Sequence, residues 1–279
     1  MAAGAQPPLA QDPAKTGGSF VERFETFEQG RWLVSDGWTN GEHQSCIWSA
    51  KNLSAGEHSV ELTLRDVPPT EPPPAEPSPV QPPSAAPSLA EPSPAKPSFT
   101  CAELQTRETF GYGTYEVRMR AAHPAVPGLV SAFFTYIGPT AEGPAPHDEI
   151  DFEFVGKDAG AVELNFFANG VGNHSKIVKL GFDATQTMAD YAFEWLPDGI
   201  RWYVNGALVH EAARIEGSPF PVTPGKIMIS VWSGHGLDQW LGAFRYPGKP
   251  LAARYELIAY TKPGDPCQFP ASIVCKLRK

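Results

Sequence analysis

Between His147 and Phe154 the chain reads His-Asp-Glu-Ile-Asp-Phe-Glu-Phe, and acidic and apolar residues alternate strictly from Glu149 onward. Carboxyl groups serve as nucleophiles, as general acids and bases, or as metal ligands. On a β-strand successive side chains point to opposite faces. Glu149, Asp151 and Glu153 then share one face, and Ile150, Phe152 and Phe154 the other. Neighbouring same-face positions lie roughly 6.5–7 Å apart at Cα. Like charges at that spacing oppose one another, so at least one carboxyl is expected to keep a proton near neutral pH. A merely solvated acidic edge strand is the weaker reading, because acids are poor strand formers and repel in this register.

The two glutamates are roughly 13 Å apart at Cα. Each side chain can lean inward over the shorter aspartate, bringing the carboxyls to about 5–6 Å, the separation that suits double displacement at a glycosidic carbon. One glutamate would attack, the other would act as acid and then base, and Asp151 would hold the nucleophile and tune it. Calcium binding is the rival chemistry. No loop of closely spaced oxygen ligands with a sharp glycine turn accompanies the strand to support it.

Other elements must hold such a strand. Period-two runs occur at Ser59–Leu64, Tyr112–Arg120, Val162–Phe167, Tyr191–Trp195, Ile200–Val204 and Ile227–Trp232. Turn signals at Pro197-Asp198-Gly199, Asn205-Gly206 and Pro224-Gly225 separate several of them. Asn205-Gly206 predicts a two-residue hairpin. No amphipathic helix of convincing length is visible. The pattern predicts an all-β protein, an antiparallel β-sandwich or jelly roll.

Val67 to Ser98 holds 13 prolines in 32 residues and repeats Ala-Glu-Pro-Ser-Pro at 75–79 and 90–94. Such a stretch makes no strand ladder and buries no core. Residues 18–66 are too short for an independent β domain, so 67–98 is expected to be a loop insertion, tolerable because loop-closure entropy grows slowly. Residues 1–17 are small and polar and are expected to be disordered. They contain no apolar run that would read as a secretory signal.

The chain has 279 residues, 42% of them hydrophobic, with 22 Lys plus Arg against 31 Asp plus Glu and a net charge of -9. That balance excludes a basic nucleic-acid-binding face and a polybasic membrane surface, and no run of 18 apolar residues is present for membrane insertion. Cys46, Cys101, Cys267 and Cys275 lack zinc-ligand spacing and allow three pairings. Two disulfides, hence an oxidising compartment, are favoured over four free thiols.

Glu149-Ile-Asp-Phe-Glu153 resembles the active-site strand of glycoside hydrolase family 16, in the form found in bacterial lichenases (endo-1,3-1,4-β-glucanases). Phe133–Thr140, Asn169–His174, Gly181–Asp183, Thr223–Met228 and Asp238–Gly242 are similar to lichenase segments in the same order. Ser35–Trp38, His43-Gln44, Glu103–Arg107, Pro146–Glu149 and the Cys267…Cys275 tail resemble the rhizobial succinoglycan-cleaving glycanases of that family still more closely. The similarity spans about Gly17 to Lys262 outside the proline-rich insert.

The resemblance implies a curved, concanavalin-like jelly roll with a concave substrate cleft, formed by a single catalytic domain over 18–262. A disulfide-tethered tail would follow at 263–279. It implies Glu149 as nucleophile, Glu153 as general acid/base and Asp151 as assisting carboxylate. Asn40, Glu103, Phe134, Tyr136, His147, Asn165, Trp232 and Trp240 would contact sugar, the aromatics through the apolar faces of pyranose rings. Cys46 would pair with Cys101, and Cys267 with Cys275. His147 departs from the lichenase tryptophan, and Trp38, Gln105, Phe167 and Ser230 also differ, so the reaction is better defined than the substrate. The implied protein is a secreted, monomeric enzyme acting on polysaccharide and needing no cofactor for its reaction, with a structural calcium possible on the convex side.

Overall fold

The structure, a computed structural model, describes residues 16–67, 98–139 and 146–277. Its strands in chain order are β1 (Phe20–Glu22), β2 (Trp32–Val34), β3 (Cys46–Trp48), β4 (Leu53–Gly56), β5 (Ser59–Asp66), β6 (Phe99–Thr106), β7 (Gly113–His123) and β8 (Leu129–Ile137). They continue as β9 (Asp148–Val155), β10 (Ala161–Phe167), β11 (Lys176–Lys179), β12 (Ala189–Leu196), β13 (Gly199–Val204), β14 (Ala207–Ala213), β15 (Lys226–Ser233) and β16 (Leu251–Thr261). The α-helices are α1 (Asp238–Leu241) and α2 (Ile273–Leu277). The predicted period-two runs fall within β5, β10, β12, β13 and β15, and Gly113 begins β7 one residue after the run from Tyr112.

One sheet runs β11-β10-β9-β8-β15-β6 and passes, through the short pairing Arg65↔Thr100 and Asp66↔Phe99, into β5-β16-β7-β12-β13-β14. The two halves pack face to face. Phe152 of β9 and Phe133 of β8 meet Phe193 of β12 at 6.4 and 5.8 Å between ring centroids. Register shifts in the β16/β7 pairing mark bulges, which bend strands and increase twist. The hairpin at Asn205-Gly206 forms with both residues at positive φ, 50° and 81°, and Val204 pairs with Ala207. That conformation suits a type I′ turn and favours Asn-Gly.

The alternation in β9 decides which way the acids point. Ile150, Phe152 and Phe154 are buried in the core, each worth about 1.5–3 kcal/mol relative to exposure. A one-residue slip would put three carboxyls into that core.

The proline-rich insert leaves and re-enters the fold at one point, since Val67 N–H donates to Ser98 O at 2.8 Å. Residues 68–97 lie outside the described residues, as does the expected disordered segment up to 15. Its last two residues belong to the fold: Thr16 bridges Thr109, and Gly17 N–H donates to Thr109 O. Among the described residues, backbone pairing therefore includes two residues that composition assigned to the disordered segment. The disulfides are Cys46–Cys101 and Cys267–Cys275. Glu116 of β7 accepts from Ser272 Oγ and Ile273 N–H at 2.6 and 2.7 Å, docking the tail on the convex sheet.

Candidate active site

β9 lies between β8 and β10, and register aligns side chains across the concave sheet. Glu149 stands opposite Tyr136 and Phe167, Asp151 opposite Phe134 and Asn165, and Glu153 opposite Ala132 and Glu163. β15 continues these rows with Lys226, Met228 and Ser230. β6 adds Gln105 and Glu103. Cross-strand neighbours on one face sit about 4.5–5.5 Å apart at Cβ. The rows floor an open groove of about 1280 Å³, and Glu149, Asp151 and Glu153 all line it.

Asp151 is 2% exposed. Burial, then the charges of Glu149 and Glu153 and a hydrogen bond to Glu149, push its carboxyl well above the usual carboxylate range. Glu153 is pushed up in the same direction by burial, then by Glu149 and Glu163. A carboxyl held protonated is what a general acid requires. Glu149 has a close histidine partner: His147 Nε2 lies 2.7 Å from its Oε2. The glutamate beside the histidine and the glutamate pushed towards protonation are therefore distinct.

Of the remaining candidate contacts, Asn40, Phe134, Tyr136, His147 and Trp232 line the groove. Glu103, Asn165 and Trp240 are not among its lining residues. Glu103 is 1% exposed and accepts from Ser35 Oγ at 2.6 Å and Gln105 Nε2 at 3.3 Å. Burial raises its pKa to about 7, against the lowering effects of Ser35, Lys226 and Gln105. Asn165 is buried beside Asp151 with its Oδ1 unpartnered. Trp240, in α1, donates to Glu163 Oε2 at 2.7 Å and sits 6.3 Å from Trp232.

Trp38, His43, Gln105, Met228, Ser230 and Lys226 also line the groove and were not among the expected sugar contacts. Three were legible: counting back by twos from Trp232 reaches Ser230, Met228 and Lys226. Lys226 Nζ donates to Gln105 Oε1 at 2.6 Å, and its pKa is lowered chiefly by burial. His43 packs edge-on to Trp232 at 5.9 Å, a contact no sequence period displays. Among the described residues no three His, Cys, Asp or Glu side chains are grouped to hold a metal ion.

Acidic side chains projecting from one strand into a groove walled by aromatic rings make this β-sandwich a glycoside hydrolase. Comparison with known proteins narrows the class. The profile described as glycosyl hydrolases family 16 matches residues 40–247, and the chain belongs to that family. It is 43% identical to a beta-glucanase of Bacillus subtilis over 252 residues, 89% of this chain and 88% of that protein. It is 39% identical to the endo-1,3-1,4-beta-glycanase ExoK of Rhizobium meliloti over 261 residues, 94% of this chain and 85% of that protein. The solved Bacillus licheniformis beta-glucanase superposes with a TM-score of 0.73 at 42% identity, covering 89% of this chain and all of that one.

Proposed function

We propose that this enzyme is a secreted, retaining endo-β-glycanase that hydrolyses internal β-1,4 linkages in a β-1,3/β-1,4-linked polysaccharide. The observation that carries the proposal is the row Glu149, Asp151, Glu153 along one groove floor, with two of the three pushed towards protonation. Glu149 attacks the anomeric carbon while Glu153 passes its proton to the departing oxygen, so the C–O bond breaks as the glycosyl ester forms. Water then gives a proton to Glu153 and its oxygen to the anomeric carbon, and the ester bond breaks to restore Glu149. Asp151, pushed towards protonation and hydrogen-bonded to Glu149, holds the nucleophile. Phe134, Tyr136 and Trp232 supply faces for pyranose rings.

The substrate class is supported by the relatives named beta-glucanase and endo-1,3-1,4-beta-glycanase. A mixed-linkage glucan such as lichenan and a succinoglycan-like exopolysaccharide both fit that description. The two disulfides suit an oxidising compartment, which supports secretion.

The test has two arms. Glu149→Gln is expected to abolish hydrolysis without unfolding, whereas Glu153→Gln should still be labelled by substrates with good leaving groups. Near-normal turnover of polymer by either variant defeats the role assignment. Product analysis on lichenan, laminarin and succinoglycan in parallel identifies the linkage, and products longer than the starting oligosaccharides would mark transglycosylation instead of hydrolysis.

A further inference from the structure

We propose that His147 is a positioning residue for the nucleophile: its Nε2–H fixes the rotation of the Glu149 carboxylate. The proposal rests on the retaining reading above and assigns a role beyond sugar contact. His147 Nε2 lies 2.7 Å from Glu149 Oε2, a distance at which a lone pair facing a carboxylate would repel, so the proton belongs on that nitrogen.

The imidazole is itself held. It stacks on Phe167 at 4.8 Å with an interplanar angle of 11°, and the Tyr136 ring lies 5.2 Å away on the other flank. Phe167 and Tyr136 are the two residues paired with Glu149 on the neighbouring strands. The donor and its acceptor therefore share one support. His147 O also accepts from Gly170 N–H at 2.8 Å, which ties its backbone to the following turn. The pair is partly shielded, with side chains 31% and 18% exposed, which strengthens a charge-assisted bond over its fully solvated counterpart.

Other titratable groups face this pair. Tyr136 projects from β8 and Lys226 from β15, Asp151 and Glu153 from β9 itself, and Glu163 from β10 beside Glu153. His43 lines the same groove. Asp148 is engaged elsewhere, accepting from the N–H groups of Asn169, Val222 and Thr223. The donor to Glu149 that can be removed without touching Asp151 is His147.

The test is single-turnover kinetics on an oligosaccharide aryl glycoside with a good leaving group, using His147→Phe, which keeps the ring stack, and His147→Gln, which keeps an N–H at the Nε2 reach. His147→Phe is expected to slow glycosyl-enzyme formation about 10- to 100-fold with KM within about twofold. His147→Gln should recover most of the rate. His147→Asn, too short to reach, is expected to follow Phe and serves if the Phe variant fails to fold. Wild-type kcat in both Phe and Asn variants, or a change confined to KM, overturns the proposal while leaving the retaining reading intact. A wild-type enzyme that forms no ester at Glu149 overturns both.

Discussion

The indole Nε1 of Trp202 donates to the backbone oxygen of Asp151 at 3.2 Å, from β13 on one sheet to the middle of β9 on the other. Trp202 is buried, and Asp151 is the central carboxyl of the acidic row. The convex sheet thus holds the strand that carries the three carboxyls. Trp202→Phe removes that bond and leaves a void, and is expected to cost about 2–3 kcal/mol in urea unfolding. A loss below about 0.5 kcal/mol would show that the bond contributes little.

Glu163 stands in register with Glu153, and its charge is one of the causes that raise the Glu153 carboxyl. Glu163→Gln keeps one oxygen to accept from Trp240 Nε1–H, turns its NH2 towards Ser175 Oγ, whose hydroxyl can accept, and removes the charge. With less repulsion Glu153 gives up its proton more easily, so the alkaline limb of kcat/KM should move to lower pH. An unmoved or upward-moving limb would separate Glu163 from the acid's titration.

Glu103 is buried with a pKa of about 7 against an ordinary value of 4.5. A carboxyl raised by folding binds its proton more tightly in the native state. Its penalty is absent below pH 4.5 and grows as pH rises towards 7. The gap corresponds to about 3 kcal/mol. Glu103→Gln should be more stable than the parent above pH 7 and lose that advantage below pH 4.5. Asp151, Glu153 and Glu116 are raised in the same sense, so the comparison must be variant against parent across pH. A difference that does not vary with pH would count against the buried ionisation.

Val67 N–H meets Ser98 O across the base of the proline-rich insert. Replacing 68–97 by a two-residue turn is therefore expected to keep turnover on polymer within about twofold. It should add roughly 1–2 kcal/mol of stability by shortening the loop. A specific loss of activity on insoluble or wall-bound polymer, with soluble substrate unaffected, would give the insert a tethering role.

What was legible in the sequence was local. Strand alternation depends only on the backbone, so the faces of Glu149 to Phe154 follow from their order. The Asn205-Gly206 hairpin follows from the left-handed conformations those two residues tolerate. The resemblance added the cysteine pairs, which the structure contains. Composition marked the insert but could not show that Thr16 and Gly17 pair with Thr109.

Tertiary structure decided what depends on partners distant in the chain. β15 enters between β8 and β6, and that order brings the face of Lys226, Met228 and Ser230 beside the acidic row. It also seals Glu103 beneath Ser35 and Gln105. A carboxyl's working state has the same origin: residue type supplies the acid, while burial and the charges brought beside it determine which of three like groups keeps a proton.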